Sequence, residues 1–536
     1  MIVCQTIPLP QTFNFSPKFS KYRTFQPDTI KTILNSNSPI VAVSAPTGSG
    51  KSLVGMVAGA VKGDMTYLTH SRDLQNQIVA DFPDVGKLWG RSHYPCDRYH
   101  GLTAAECTNS RVNPCEYINR CDYRAAKRAV LAKRMRSLNY SYFLNETNHV
   151  GQFSDQSFLV CDEADILEDV MMGFIGLSIS KWQIEKLGLA LPRRKTSKAK
   201  DSMVDWKGWA EKTLVVVNRE LMGINADLEW MIDAPSDDDI ELMSRKRQLG
   251  AMLYSLNTFL KYVDDSWLYE KIDRHGNTIH KFTPLWLSPE LTHDYFWRHT
   301  DQALLMSATL WPDEVLAKLL GLHVGDIERI EVPSTFPVAN RPIILRPVVD
   351  MTYAKYTDEL PKLFAEIRRI LTDNRDTKGV IHTVSYKLAQ DIMNGVGTNG
   401  KHPRLVTHNS SNRMEVLDKF RRDLTSNKVL VSPCSERGIS YDGESCRWAQ
   451  WAKAPYLNLK DKRVAARVHG SQIGNRWYKA HMLMTVQQGA GRIVRDENDY
   501  GKVYISDQQI VNAMVADSRL DKRNRALNGW FREAIE

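Results

Sequence analysis

Ala45-Pro46-Thr47-Gly48-Ser49-Gly50-Lys51-Ser52 sits between a short apolar run, Pro39-Ile40-Val41-Ala42-Val43, and the apolar stretch Leu53-Val54-Gly55-Met56-Val57-Ala58-Gly59-Ala60. The first run reads as a strand and the second as a buried helix. Strand, glycine-rich turn and helix, with Lys-Ser at the helix entrance, is the setting a phosphate-binding loop requires. Glycines let backbone N–H groups curl around phosphate oxygens, and the helix N-terminus adds positive potential. Lys51 would reach the terminal phosphates and Ser52 would ligate Mg²⁺, so the stretch predicts a nucleoside triphosphate site. Ala45 stands where the strict pattern has Gly.

The chain has 536 residues, room for roughly two to four domains. With 43% hydrophobic and 25% charged residues it has the make-up of a globular protein. No apolar run approaches the length of a membrane span. Met1-Ile2-Val3-Cys4-Gln5-Thr6 lacks the basic start and long apolar core of a secretory signal, so a cytoplasmic location is expected. The net charge of +9 suits a polyanionic partner, although solubility alone accounts for that much basicity. Eight cysteines in a reducing compartment argue against a disulfide framework.

Four of those cysteines, Cys96, Cys107, Cys115 and Cys121, are separated by ten, seven and five residues. Structural zinc sites usually pair ligands two to four residues apart, and no such pair occurs here. An all-cysteine set on an irregular loop suits an iron–sulfur cluster better, with zinc and four unrelated free thiols as the other readings. Behind Cys121 a helix is expected that carries Arg124, Lys127, Arg128, Lys133, Arg134 and Arg136, either a solvated face or a phosphate-contacting one.

Further strands are expected at Met65–Thr69 and Gln156–Cys161, the latter ending in Asp162-Glu163-Ala164-Asp165. Paired acids at a strand C-terminus serve Mg²⁺–nucleotide hydrolysis, one holding the metal shell and the other orienting the attacking water. Upstream, Tyr22-Arg23-Thr24-Phe25-Gln26-Pro27 reads either as a purine contact or as a helix start with Pro27 at its first turn. Residues 168–298 are mostly helical in pattern and carry no nucleotide motif. Ala303–Met306 reads as a strand leading into Ser307-Ala308-Thr309, whose hydroxyls would bond the acidic pair. The second half repeats the strand–helix rhythm and ends in Gln488-Gly489-Ala490-Gly491-Arg492-Ile493-Val494-Arg495. Arg492 and Arg495, three apart, would share a helix face and meet phosphates as arginine fingers do.

Taken in order, the phosphate loop, Asp162–Asp165, Ser307–Thr309 and Gln488–Arg495 resemble motifs I, II, III and VI of superfamily 2 helicases. The four-cysteine insert, headed by Gly90-Arg91-Ser92-His93-Tyr94-Pro95-Cys96, resembles that of the XPD/DinG family of iron–sulfur helicases. Asn139-Tyr140 and Ser334-Thr335-Phe336-Pro337 are also similar to that family. The resemblance implies an α/β fold: two RecA-like parallel-sheet domains, with an iron–sulfur lobe and a helical arch inserted in the first. Its boundaries would be 1–86, 138–167 and 299–342 for the first domain, 87–137 for the lobe, 168–298 for the arch-like insertion and 343–536 for the second domain.

The resemblance further implies an ATP-dependent DNA helicase, monomeric, that moves 5′→3′ on single-stranded DNA and unwinds tailed duplexes. Its cofactors would be ATP, Mg²⁺ and a [4Fe-4S] cluster on the four cysteines. Lys51, Asp162, Glu163, Gln488, Arg492 and Arg495 would be catalytic. The nucleotide would lie against Ala45, Pro46, Thr47, Gly48, Ser49, Gly50, Lys51, Ser52 and Gly438, with Gln26 near the adenine and Ser52 and Asp162 on Mg²⁺. Asp165 stands where the family usually has His, and Ser440 where it typically has Asp. Two other readings stay open: a single-strand clamp or partner-recruiting ATPase that does not unwind, and a helicase for RNA–DNA hybrids, since contacts to phosphates and base faces do not read sequence.

Overall fold

Two mainly parallel sheets organise the chain. The computed structural model describes residues 7–109, 114–192, 203–229, 235–274, 276–397, 402–433, 441 and 443–536. The first sheet is built from β1 (Ile40–Ser44), β2 (Met65–Thr69), β3 (Gly86–Lys87), β4 (Met135–Asn139), β5 (Gln156–Asp162), β9 (Thr300–Ser307) and β10 (Ile327–Glu331). Its order is β10-β1-β9-β5-β2-β4-β3. β1 and β2 are buried at every position, as continuous apolar strands with covered faces must be. β2 pairs in parallel with both β4 and β5.

The second sheet comprises β11 (Ile343–Val349), β12 (Gly379–His382), β13 (Leu405–Thr407), β14 (Val429–Ser432), β15 (Trp448–Trp451) and β16 (Lys502–Asp507). Its order is β11-β16-β15-β12-β14-β13, and all its pairings are parallel. One face is closed by the helix Tyr356–Asp373, whose Leu363, Ile367 and Ile370 are fully buried at helical spacing against Ile381, Val431 and Trp448. Gly379 is dictated by this packing, because a Cβ there would meet the Trp448 ring at 2.0 Å.

The insertion departs from the mostly helical expectation. Two long helices, Met203–Glu229 and Asp237–Tyr262, do pair. Beside them lies a three-stranded antiparallel sheet of β6 (Leu177–Ser180), β7 (Trp267–Arg274) and β8 (Asn277–Pro284), in the order β6-β8-β7. Gly276, at φ +80°, turns the β7–β8 hairpin. Trp206 packs on the rings of Tyr269 and Phe282, at 4.7 and 4.8 Å. A second departure concerns the basic helix after Cys121, which ends at Leu131. Arg124, Lys127 and Arg128 lie on it. Arg136 lies in β4, where it pairs with Asp64 and donates to Gln156 Oε1, each at 2.9 Å.

By its packing the chain divides into two compact units. One holds Met1–Ile40, Gly55–Leu304 and Lys318–His323; the other holds Val41–Val54, Leu305–Ala317 and Val324–Glu536. The acidic pair and the cysteine segment belong to the first. The phosphate loop, Ser307–Thr309 and the Gln488–Arg495 stretch belong to the second. Among the described residues no helix is long and apolar enough to cross a membrane.

Candidate nucleotide site and cysteine lobe

The phosphate loop runs from the end of β1 into the helix Lys51–Lys62. Gly48 and Gly50 take φ +79° and +81°, backbone that only glycine adopts without strain. A Cβ on Gly48 would also stand 2.9 Å from the Arg495 carbonyl oxygen and 3.0 Å from Phe336 Cζ. The loop is therefore glycine for two reasons, conformation and close approach. Ala45 is buried, and its N–H donates to the Ser307 carbonyl at 3.0 Å, which anchors the start of the loop on the Ser-Ala-Thr segment. Lys51 Nζ lies across the loop mouth and donates to the carbonyls of Ala45 and Pro46, at 3.1 and 3.2 Å. Pro46 and Thr47 border a small cavity of about 30 Å³ with Phe336, Gly491 and Val494. Ser49 is buried and Ser52 half-buried in the helix's first turn.

Asp162 closes β5 and is buried, whereas Glu163 beside it is exposed. Three bonds fix the aspartate: Tyr67 Oη donates to Oδ2 at 2.9 Å, the Glu163 N–H to Oδ1 at 3.0 Å, and Tyr140 Oη to its backbone carbonyl at 2.7 Å. Glu163 holds a left-handed backbone at φ +53°, an uncommon state for a side chain that recurs at functional sites. A fixed, buried carboxylate next to an exposed one on a strained turn is a division of labour that suits metal holding and water activation. Cys161, one residue back, is fully buried, and burial pushes its thiol well up. Cys446 is likewise a core residue, pushed up to about 12 by burial.

The Ser-Ala-Thr hydroxyls are partly engaged within their own unit. Ser307 Oγ accepts from the Thr309 N–H at 3.2 Å, and Thr309 Oγ1 accepts from Gln488 Nε2 at 2.6 Å. Gln488 lies in the last turn of the helix Gln472–Ala490, which is capped by Gly491. Arg492 and Arg495 therefore follow the helix and do not share a face of it, contrary to the spacing argument. Gly491 at the cap is a poor helix former, whereas Gly489 stays within the helix because a Cβ there would stand 2.7 Å from the Trp451 ring. Arg492 lies near His382, a fully buried imidazole stacked on Trp451 at 4.3 Å. Burial first, and the Arg492 charge second, push that histidine down to about 3. Arg495 is oriented through its N–H, which donates to Asp499 Oδ2 at 3.0 Å, while Asp499 Oδ1 takes Arg447 at 2.6 Å.

Gln26 opens the helix Gln26–Asn35 with Pro27 in its first turn, so the helix-start reading holds. Its Oε1 accepts from the Arg23 N–H at 2.9 Å, and the side chain is buried. Gly438 and Ser440 lie outside the described residues.

Cys96, Cys107, Cys115 and Cys121 all line one cavity of about 360 Å³. Its wall also carries Arg91, Arg98, Arg124, Lys127 and Arg128. The Cys96 N–H donates to the Leu102 carbonyl at 2.9 Å, and the Cys115 N–H to Asn109 Oδ1 at 2.8 Å. Burial raises the Cys96 thiol, backbone donors at Tyr99 and Arg98 lower it, and Cys107 and Cys115 raise it again. Among the described residues no three His, Cys, Asp or Glu side chains are grouped tightly enough to hold a single metal ion. The donor set, the room and the cationic wall fit a multi-iron cluster with thiolate ligands, whose charge the four arginines would offset.

Tyr67 and Tyr140 are site residues that motif reading does not single out by role. Tyr140 falls in the Asn139-Tyr140 pair, but its bond to the Asp162 carbonyl needs the fold. Tyr67 faces Val160 across the β2–β5 pairing, a register invisible in sequence. Tyr67→Phe is expected to cost roughly 1.5–3 kcal/mol, the range for a hydrogen bond to a charged group, in a urea melt. It should also lower ATP turnover.

A family model for the DEAD/DEAH box helicase matches residues 23–180, and one for the helicase C-terminal domain matches residues 368–524. The fold is similar to that of S. tokodaii Xpd4, with a TM-score of 0.55 at 15% identity over 94% of this chain and 99% of that one. It is also similar to an XPD helicase structure, with a TM-score of 0.57 at 16% identity over 92% of this chain and 97% of the other. A regulator of telomere elongation helicase 1 homolog from Drosophila sechellia is 21% identical over 242 residues, 39% of this chain. The match takes in only 25% of that relative. The chain thus carries a DEAD/DEAH box helicase match followed by a helicase C-terminal match, on a fold of two RecA-like parallel-sheet domains. The fold shared with the XPD structures is the one that the XPD/DinG resemblance implies.

Proposed function

We propose that the chain moves 5′→3′ along single-stranded DNA and unwinds tailed duplexes, working as a cytoplasmic monomer. The observation that carries this reading is the single cavity walled by four cysteines and a cationic rim, in a chain with the XPD fold. A [4Fe-4S] cluster held by Cys96, Cys107, Cys115 and Cys121 supplies rigid cross-links to a lobe with little regular structure. The neighbouring Arg124 and Arg128, both exposed, then face the phosphates of a passing strand, while Lys127 pairs with Glu146. The lobe is assigned to 87–137 and the arch-like insertion to 168–298. RecA-like domain 1 is assigned to 1–86, 138–167 and 299–342, and domain 2 to 343–536.

At the nucleotide, the loop 45–52 cradles the phosphates of ATP through its N–H groups, and Lys51 neutralises the terminal ones. Ser52 and Asp162 hold Mg²⁺, which supplies charge neutralisation at the phosphates. Glu163 orients the attacking water. Arg492 and Arg495 stabilise charge on the γ-phosphate, Gln488 reports it to Thr309, and Gln26 flanks the adenine.

Anaerobically purified protein should displace the strand from 5′-tailed but not 3′-tailed duplexes, and be brown, with about four irons per chain. Colourless protein with stoichiometric zinc would overturn the cluster. Hydrolysis without displacement of either duplex would make the chain a clamp, and preferential competition by RNA–DNA hybrid would change the substrate.

A further inference from the structure

We infer that Asn528 is a positioning residue for ATP hydrolysis, holding Ser307-Ala308-Thr309 in register with the glutamine pair Gln487–Gln488. Gln488 reaches Thr309 directly, as described above. Its neighbour Gln487 reaches the preceding residue through an intermediary: Gln487 Oε1 accepts the Asn528 N–H at 2.8 Å, and Asn528 Nδ2 donates to the Ala308 carbonyl at 2.8 Å. Two adjacent residues of one helix thus hold two adjacent residues of the Ser-Ala-Thr segment. Gln487, Thr309 and Asn528 are all buried, so water cannot replace a lost partner.

The segment that carries Asn528 is itself fixed. Asp517, buried in the helix Gln508–Ser518, accepts the N–H groups of Ala526 and Leu527 at 2.7 and 3.2 Å. Asn524 and Glu314 exchange two hydrogen bonds, Nδ2 to Oε1 at 2.9 Å and the Glu314 N–H to Oδ1 at 3.3 Å. Arg523 pairs with Asp313, a carboxylate only 1% exposed that also takes Arg329. Residues 523–528 are therefore laid along residues 308–314, with Asn528 at the end next to Thr309. Asn suits the place because it needs a short side-chain donor for Ala308. An aspartate of the same shape would set an oxygen against that carbonyl.

The inference uses ATP hydrolysis alone and is independent of strand polarity and of the cluster. The test is steady-state ATP hydrolysis by the full chain, with and without single-stranded DNA, for wild type, Asn528→Asp and Asn528→Ala. Both variants should lose about tenfold in kcat with KM for ATP changed less than about twofold, the split expected when alignment rather than binding is lost. Asn528→Asp combined with Thr309→Val should lose less than the product of the two single losses, because the two links hold the same short segment. Unchanged kcat overturns the inference. So does a fall in kcat that comes only with a matching rise in KM and a lowered melting temperature. If Asn528→Asp does not fold, Gln487→Met, which removes the acceptor at similar volume, must show the same kcat loss or the inference fails.

Discussion

Lys51→Ala should reduce ATP turnover at least about a hundredfold, the scale on which loss of one transition-state donor is felt. Lys51 Nζ rests on two neutral carbonyls of its own loop, those of Ala45 and Pro46. Phosphate oxygens in their place would add ion-pair attraction to bonds that now run from the ammonium to neutral acceptors, and alanine offers neither. The loop itself should survive the change. Its shape is set by the backbone of Gly48 and Gly50 and by the Ala45–Ser307 bond, none of which involves the lysine side chain. Turnover should thus vanish while the melting temperature moves little, as a coupled ATPase assay beside a thermal melt would register. Wild-type turnover in Lys51→Ala would remove this loop from the chemistry.

Arg495→Ala should be comparably severe, about a thousandfold in kcat if the guanidinium acts as an arginine finger. The residue follows the helix end, where its backbone is held by Asp499 and its carbonyl lies against Gly48. Its backbone is thus brought beside the phosphate loop by main-chain contacts. Arg495→Lys should recover only part of the rate, because an ammonium lacks the planar fork that pairs with two phosphate oxygens. Single-turnover hydrolysis would separate this from a binding defect. A loss of under about tenfold in Arg495→Ala would return the residue to a structural role.

The strands that flank the site were legible because they are short apolar runs with polar ends. Met65–Thr69 is a strand at those bounds, and Gln156–Cys161 is extended only by Asp162. The glycines, the acids and the four cysteines are legible for a different reason: their chemistry restricts which residue types serve. What escaped depends on distant partners or on competing local signals. Met135–Asn139 hides as a strand because Arg136 continues a basic run that looks helical, and only its pairing with β2 decides the matter. The β7–β8 hairpin is masked by the two long helices before it. Gly491 ends its helix before Arg492, so a spacing argument that ignores terminators places the two arginines on one face. Tyr67 and Asn528 belong to no motif, and their roles exist only through partners 95 and 220 residues away in the chain.

β11 pairs with β16 in the register Ile343↔Val503, so neighbours in that sheet are separated by most of the second half of the chain. Closing so long a loop adds little to the equilibrium cost, about 0.6 kcal/mol for each doubling of length. The kinetic burden is larger, because non-local parallel pairing delivers its reward only after the entropy has been lost. During refolding β12, β13, β14 and β15 can associate while β11 waits, with the edge of β15 open to other chains. Yield on dilution from denaturant should therefore fall as protein concentration rises, through a competition between β16 docking and edge-to-edge association.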